Sequence, residues 1–273
     1  MVKVSVIVTV YNKEPYILET LQSIKKQTYD SFECIVVNDG STDSSSVIIY
    51  EFCKDDARFT CYDKRNEGVS IARNFGIEHS HGEYILPIDG DDLVEPEYIK
   101  ECVKILDDDD EVKVVYSRAD MFGSAKGEWR LPEFSMENML AQNCIYCSAL
   151  YRRKDYDRTV GYNPNMKEGL EDWDFWISLL GYGGKVYKID KIMFHYRIVK
   201  SSRNRSFDIE KRKRLRKQMW LNNRDVYANY YLDPLNTIEY LSAIRIKQSC
   251  DYRLGRLMLY PLRRLKRLFW GLH

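Results

Sequence analysis

At 273 residues the chain is long enough for one large α/β domain with an appendage. Its 42 Lys and Arg nearly balance 41 Asp and Glu, leaving a formal charge of +1, so bulk charge gives no drive toward nucleic acid. No apolar run approaches the roughly 20 residues of a membrane-spanning helix, and seven cysteines scattered without a framework suit a reducing compartment.

Met1 is followed by Val-Lys-Val-Ser-Val-Ile-Val, which reads as a strand and lacks the charged head, apolar stretch and cleavage site of a signal peptide. A folded, cytosolic start is therefore expected. From Val4 to about Tyr116, short apolar strands alternate with amphipathic helical segments, the pattern of a parallel sheet with helices on both faces. The predicted strands are Val4–Val10, Phe32–Asn38, Arg58–Tyr62, Glu83–Ile88 and Val112–Tyr116. Helices are predicted over Pro15–Gln27, Asp43–Lys54, Val69–His79 and Pro96–Leu106, with Asp43 as a cap and Pro15 in a first turn. Asp107–Asp110 reads as a solvated loop. Further on come a turn at Gly123–Gly127, a helix at Met136–Gln142, a helix starting near Glu171 and an extended stretch at Lys185–Arg197. Beyond Ser201 the sequence becomes charged and helical, which sets a catalytic domain over 1–205 and a helical region over 206–273. Cys144 and Cys147 form one close pair with no second pair to complete a zinc site, so they read as structural.

Strand one runs into Tyr11-Asn12-Lys13-Glu14-Pro15, without the Gly-x-Gly-x-x-Gly of a dinucleotide fold, and no Walker loop is present. Open parallel sheets bind ligands at the carboxyl ends of their strands. Those ends carry Thr9 and Asn12, Asn38-Asp39-Gly40, and Asp89-Gly90-Asp91-Asp92. Clustered carboxylates repel one another unless a cation neutralises them. Asp89 and Asp91, two apart on an extended segment, can face one side, and their oxygens suit Mg²⁺ or Mn²⁺ shared with a pyrophosphate. An acidic surface turn is the plainer alternative. A calcium-hand loop is excluded by Leu93, Val94 and Lys100.

Four segments in order, Val4-Ser-Val-Ile-Val-Thr-Val-Tyr-Asn12, Val36-Val-Asn-Asp-Gly-Ser-Thr-Asp43, Asn66-Glu-Gly-Val-Ser-Ile-Ala-Arg-Asn74 and Asp89-Gly-Asp-Asp92, resemble the inverting glycosyltransferases of family 2. The resemblance implies an α/β fold of the GT-A type and a nucleotide-sugar donor, with UDP favoured because Asp39 can accept the imino N–H of uracil. It implies that Thr9 and Asp39 contact the donor base, that Arg73 lies near the donor sugar or phosphates, and that Asp89 and Asp91 form an Asp-x-Asp motif with Asp91 as metal ligand. Glu171-Asp172-Trp173 resembles the family's later motif, whose Asp deprotonates the acceptor hydroxyl. An ordinary Asp, with a pKa of about 3.9, would serve at neutral pH without a shift. His195-Tyr196-Arg197 resembles a third segment, in which the His completes the metal shell and Arg residues bind diphosphate.

A catalytically silent sugar-nucleotide or carbohydrate-binding module on the same fold, or a sugar nucleotidyltransferase, are the rival readings; intact Asp89, Asp91 and Asp172 argue against the first, and the absence of a basic glycine-rich loop after strand one against the second. Trp173 and Trp176 at helical spacing read as core. Ser201-Ser-Arg-Asn-Arg205 could close over the donor. In the tail, Asp251 to Trp270 interleaves six Arg and Lys with Leu, Met, Tyr, Phe and Trp, a composition suited to the interface of an anionic membrane. With the resemblance, this implies a glycan or lipid-linked glycan acceptor, met by a peripheral enzyme at the cytoplasmic face of the cell membrane.

Overall fold

A computed structural model describes residues 2–199 and 209–230. Strand β1 (Val4–Val10) is buried at every position, the mark of a strand covered on both faces. It lies between β2 (Phe32–Asp39) and β4 (Tyr84–Asp89) and parallel to both, and β3 (Phe59–Lys64) extends the parallel array beyond β2. Helices α1 (Ile17–Lys25), α2 (Ser45–Lys54) and α3 (Val69–Glu78) make the crossovers. Helix α3 rides on the face that carries Ile7 and Val37: a Cβ added at Gly76 would lie 2.6 Å from Ile7 Cγ2 and 3.1 Å from Val37 Cγ2. Val10, on the alternate face, instead meets the start of α1, since a Cβ at Gly90 would sit 3.1 Å from Val10 Cγ2 and 3.4 Å from Ile17 Cδ1.

Past β4 the sheet becomes mixed. Strand β8 (Leu150–Arg152) runs antiparallel to both β4 and β6 (Val112–Gly123), and the long β9 (Lys185–Ile198) runs parallel to β6. The two-residue β5 (Leu93–Val94) pairs antiparallel with β9, and β7 (Gly127–Trp129) folds back on β6 as a hairpin. The sheet order is β3-β2-β1-β4-β8-β6-β9-β5, with β7 off this path. Helix α4 (Tyr98–Asp108) packs on β6, β8 and β9. The short helices α5 (Met136–Ala141) and α6 (Arg153–Tyr156) precede α7 (Glu171–Leu180).

The five strands and the helices expected along the chain are present, with β6 running on past Tyr116 because β9 pairs with it as far as Gly123. The acidic run is more structured than expected. Asp107 and Asp108 belong to α4, Asp107 accepts from the Tyr84 hydroxyl and faces Lys3, and Asp109 pairs with Lys185. The Asp43 carboxylate accepts from the amides of Glu14 (3.1 Å) and Ser45 (3.0 Å), so it ties the turn after β1 to the start of α2.

Helices α8 (Ile209–Asn222) and α9 (Arg224–Tyr230) follow, and residues 1–226 form one compact unit. The expected domain boundary near Ser206, the Ser201–Arg205 stretch and the tail from Asp251 lie outside the described residues. Helix α8 is anchored through Asp174 of α7, which is wholly buried and accepts amide hydrogen bonds from Asn163 (2.5 Å), Asn222 (3.0 Å) and Asn223 (2.9 Å). Burial pushes the Asp174 carboxyl up to about 6 although the three amides pull it down. No helix of the described residues is long and apolar enough to cross a membrane.

Candidate active site

The carboxyl ends of β1, β2 and β4 converge on one polar edge. Thr9, buried at the end of β1, donates from Oγ1 to Asp89 Oδ1 at 3.4 Å. Asn12 adopts φ 52°, an orientation that Asn tolerates, and its Oδ1 accepts from the Thr42 amide at 2.8 Å, joining the turn after β1 to the turn after β2. Asp39 is buried and its carboxylate organises the loop before α3. Oδ1 accepts from Lys64 Nζ (2.9 Å) and the Glu67 amide (3.1 Å), and Oδ2 from the Gly68 amide (2.9 Å). A carboxylate offers about four lone-pair sites, so Oδ2 keeps one for a ligand.

The acidic motif follows β4. Asp91 and Asp92 are buried, and desolvation together with mutual repulsion and Asp89 raises both carboxyls above the ordinary range. Lys13 Nζ lies against Asp91 and opposes the rise, while the Arg197 amide donates to Asp92 at 2.8 Å. Arg197 also donates from Nε to the Asp91 carbonyl (2.7 Å), and its guanidinium stacks over Phe122 and Tyr16. Its place is under the acidic loop.

The second half of the site sits at the start of α7. Gly169 (φ 129°) and Leu170 (φ 62°) turn the chain sharply, and a bulky residue in the left-handed region is strained. That turn presents Glu171 and Asp172 in the first helical turn. The buried Arg73 of α3 joins the two halves, donating to Asp89 Oδ1 at 2.7 Å and to Glu171 Oε1 at 3.2 Å with its guanidinium over the Tyr162 ring. Asp172 accepts from Asn143 Nδ2 (3.0 Å) and from the Trp173 amide (2.8 Å). Burial and the neighbouring Glu171 push its carboxyl up to about 7 against the pull of Arg73. The expectation of an unshifted base is therefore corrected: the surroundings of Asp172 hold it near neutrality.

Lys13, Asn143 and Cys147 were not legible as site residues. Cys147 faces Arg73, Asp89, Glu171 and Asp172, and burial raises its thiol well above the ordinary range, so it stays a thiol between the acidic motif and Asp172. Trp173 and Trp176 are core, as expected, with Trp173 Nε1 donating to the Met139 carbonyl at 2.6 Å.

His195 lies on β9 opposite Leu93 of β5, next to the acidic loop. Its Nδ1 is 2.6 Å from Asp120 Oδ1 and its Nε2 2.9 Å from Glu95 Oε1, so both ring nitrogens are engaged. Among the described residues no group of three or more His, Cys, Asp or Glu side chains has the spacing of a complete metal centre. The acidic motif nonetheless fits a hard cation. Its donors are carboxylate oxygens, burial leaves their charge under-neutralised, and the Lys13 ammonium supplies positive charge at Asp91.

Residues 5–166 match the glycosyl transferase family 2 domain, and the chain belongs to that family. It is 36% identical over 189 residues to the glycosyltransferase GlyA of Streptococcus pneumoniae, a match covering 68% of this chain and 24% of GlyA. The chain thus spans about a quarter of that relative. The fold is that of S. aureus TarS 1–349 in complex with UDP-GlcNAc (TM-score 0.63, 19% identity, 84% of this chain and 73% of that one). It is also that of the mannosyltransferase PcManGT of Pyrobaculum calidifontis in complex with GDP-Man and Mn²⁺ (TM-score 0.62, 18% identity, 97% and 87%). The mixed α/β sheet is accordingly of the GT-A type.

Proposed function

We propose that the chain transfers a sugar from a nucleotide diphosphate sugar to an acceptor hydroxyl with inversion at the anomeric carbon. The observation that carries this reading is the buried Arg73 bridge. It brings the donor-side motif at Asp89 and the base-side pair Glu171–Asp172 into one site. Asp172 accepts the acceptor's proton, and with its carboxyl near 7 it can release that proton again at neutral pH. Asn143 and the Trp173 amide aim its two oxygens.

Thr9 and Asp39 are assigned to the donor base, with UDP favoured through the lone pair left on Asp39 Oδ2. Arg73 and Asp89 are assigned to the donor sugar and phosphates. Asp91 would hold Mn²⁺ or Mg²⁺, joined by His195 if Nε2 leaves Glu95. Such an ion supplies Lewis-acid stabilisation of the departing diphosphate. The complexes of TarS with UDP-GlcNAc and of PcManGT with GDP-Man support a nucleotide-sugar donor without selecting its base. A glycan or lipid-linked glycan is the proposed acceptor, met at the inner face of the cell membrane through the basic tail.

Asp172→Asn tests the reading. Transfer should fall roughly 10²–10⁴-fold, the share of a general base, while UDP-sugar affinity by calorimetry is retained. Equal loss of affinity and turnover would remove Asp172 from the role.

A further inference from the structure

The β6–β7 hairpin, with β9 beside it, borders a half-open cavity of about 440 Å³ whose lining shares no side chain with the site above. That volume lies within the roughly 300–1,000 Å³ of small-molecule sites. One wall is aromatic. Trp129 stacks on Tyr196 (ring centroids 4.6 Å apart) and on Tyr146 (6.0 Å), and Tyr146 rests on Phe194 (4.3 Å). Tyr116 also lines the cavity and is only 2% exposed, yet its hydroxyl has no hydrogen-bond partner among the described residues. The Trp129 indole N–H is likewise unpartnered there. The adjacent Tyr146 hydroxyl, by contrast, accepts from the Ser117 amide at 2.9 Å. The cavity wall therefore carries a hydroxyl and an indole N–H that the oxygens of a ligand can meet.

Charge selects the kind of ligand. Three cations, Arg118, Arg130 and Lys188, face three carboxylates, Glu128, Glu133 and Asp190, and they cancel. They are also cross-paired: Arg118 with Glu128 (2.8 Å) and Asp190 (3.1 Å), Arg130 with Glu128 (2.9 Å), and Lys188 with Glu133. Such a lining offers no net field to a phosphate or sulfate, but it does offer donors and acceptors around an aromatic wall. A neutral sugar presents that mixture of hydroxyls and apolar ring faces.

The chain connects the cavity to the base. From Leu131 and Glu133 on the wall it passes through α5, whose Met139 carbonyl accepts from Trp173, to Asn143, the residue that donates to Asp172. Tyr146, back on the wall, is three residues beyond Asn143, a span of at most about 10 Å. Resting on the transferase reading, we propose that this cavity is an acceptor subsite for a neutral glycan, holding a pyranose ring set back from the one whose hydroxyl reacts.

The test is ligand-observed NMR on the full chain with neutral tri- and tetrasaccharides of the gluco, galacto, manno and N-acetylglucosamine series. A sulfated disaccharide serves as anionic control, and UDP is titrated in parallel. At least one neutral oligosaccharide should bind saturably. Trp129→Ala should weaken it about tenfold, the worth of one aromatic contact. Tyr116→Phe, which removes only the hydroxyl and leaves the packing intact, should weaken it about two- to tenfold. UDP affinity should stay within about twofold in both variants, since neither residue belongs to the donor site. Normal UDP binding with no neutral sugar bound, binding unmoved by both variants, or binding of the sulfated sugar alone would overturn the subsite. Sugar binding that both variants weaken, without binding of UDP or of GDP titrated beside it, would keep the cavity as a glycan site and remove the transferase reading instead.

Discussion

Asp172 works against its surroundings. Burial, Glu171 and Asp89 discourage its ionisation, whereas Arg73 and the Trp173 amide favour it. Transfer needs the ionised form, so the rate should climb with pH along an acid limb centred near 7. Replacing Arg73 with Gln should move that limb to higher pH, because the cation that opposes the rise is gone. The same change takes the buried guanidinium away from Asp89 and Glu171, at a cost of about 3–5 kcal/mol in denaturant unfolding. A pH–rate profile that stays in place would show that Arg73 does not set the base. The stability sign is opposite to that of an ordinary paired carboxylate. With its folded pKa above its unfolded one, Asp172 contributes stability below about pH 4 and loses it as pH rises through about 7. The motif singled out Asp172 as the proposed base, but its shift arises from burial and from the neighbouring Glu171, and the burial depends on how distant segments pack around the start of α7.

At the scale of elements, Gly76 shows how closely α3 lies on the sheet. Gly76→Ala should cost about 1–3 kcal/mol, because Ile7 and Val37 in the middle of two buried strands would have to yield. Each kcal/mol lost should lower the thermal midpoint by roughly 2–4 °C, and an unchanged midpoint would mean that the helix can lift. The anchor of α8 is polar instead. Asn223→Ala removes one of three amides from the buried Asp174 carboxylate and should cost about 1–3 kcal/mol, with amide hydrogen exchange in α8 rising before that in β1. Strands such as Val4–Val10 were legible because both faces are buried and the residues are apolar apart from Ser5 and Thr9. Two-residue β5 and three-residue β8 carry no period long enough to read, and they exist because β9 and β4 supply their hydrogen bonds. The helix at Glu171 was legible from its acids, but the Gly169–Leu170 turn that aims them was not.

For the whole molecule, the donor-side edge could be read from residues that follow successive strands, whereas its meeting with Asp172 depends on a bridge between Arg73 and Glu171, 98 positions apart. Two further predictions belong at this scale. Treatment with EDTA should lower UDP-sugar affinity and turnover, Mn²⁺ should restore both, and Asp91→Asn should blunt the restoration; full activity after EDTA would remove the cation from the proposal. The full-length chain should sediment with anionic liposomes in low salt, and deletion after Cys250 should release it while donor hydrolysis continues. Sedimentation indifferent to the deletion would assign the basic tail another role. The position of β9 has a consequence for the order of assembly. The four parallel strands β1 to β4 lie within residues 4–89 and are joined by short crossovers, so they can form as the chain emerges. The loop carrying Asp91 and Asp92 gains its Arg197 contacts, and β5 its partner, only when β9 has entered between β5 and β6. A nascent chain ending at residue 180 should therefore hold a protected β1–β4 core with an acidic loop still open to exchange, and the transferase site should close as one of the last events of folding.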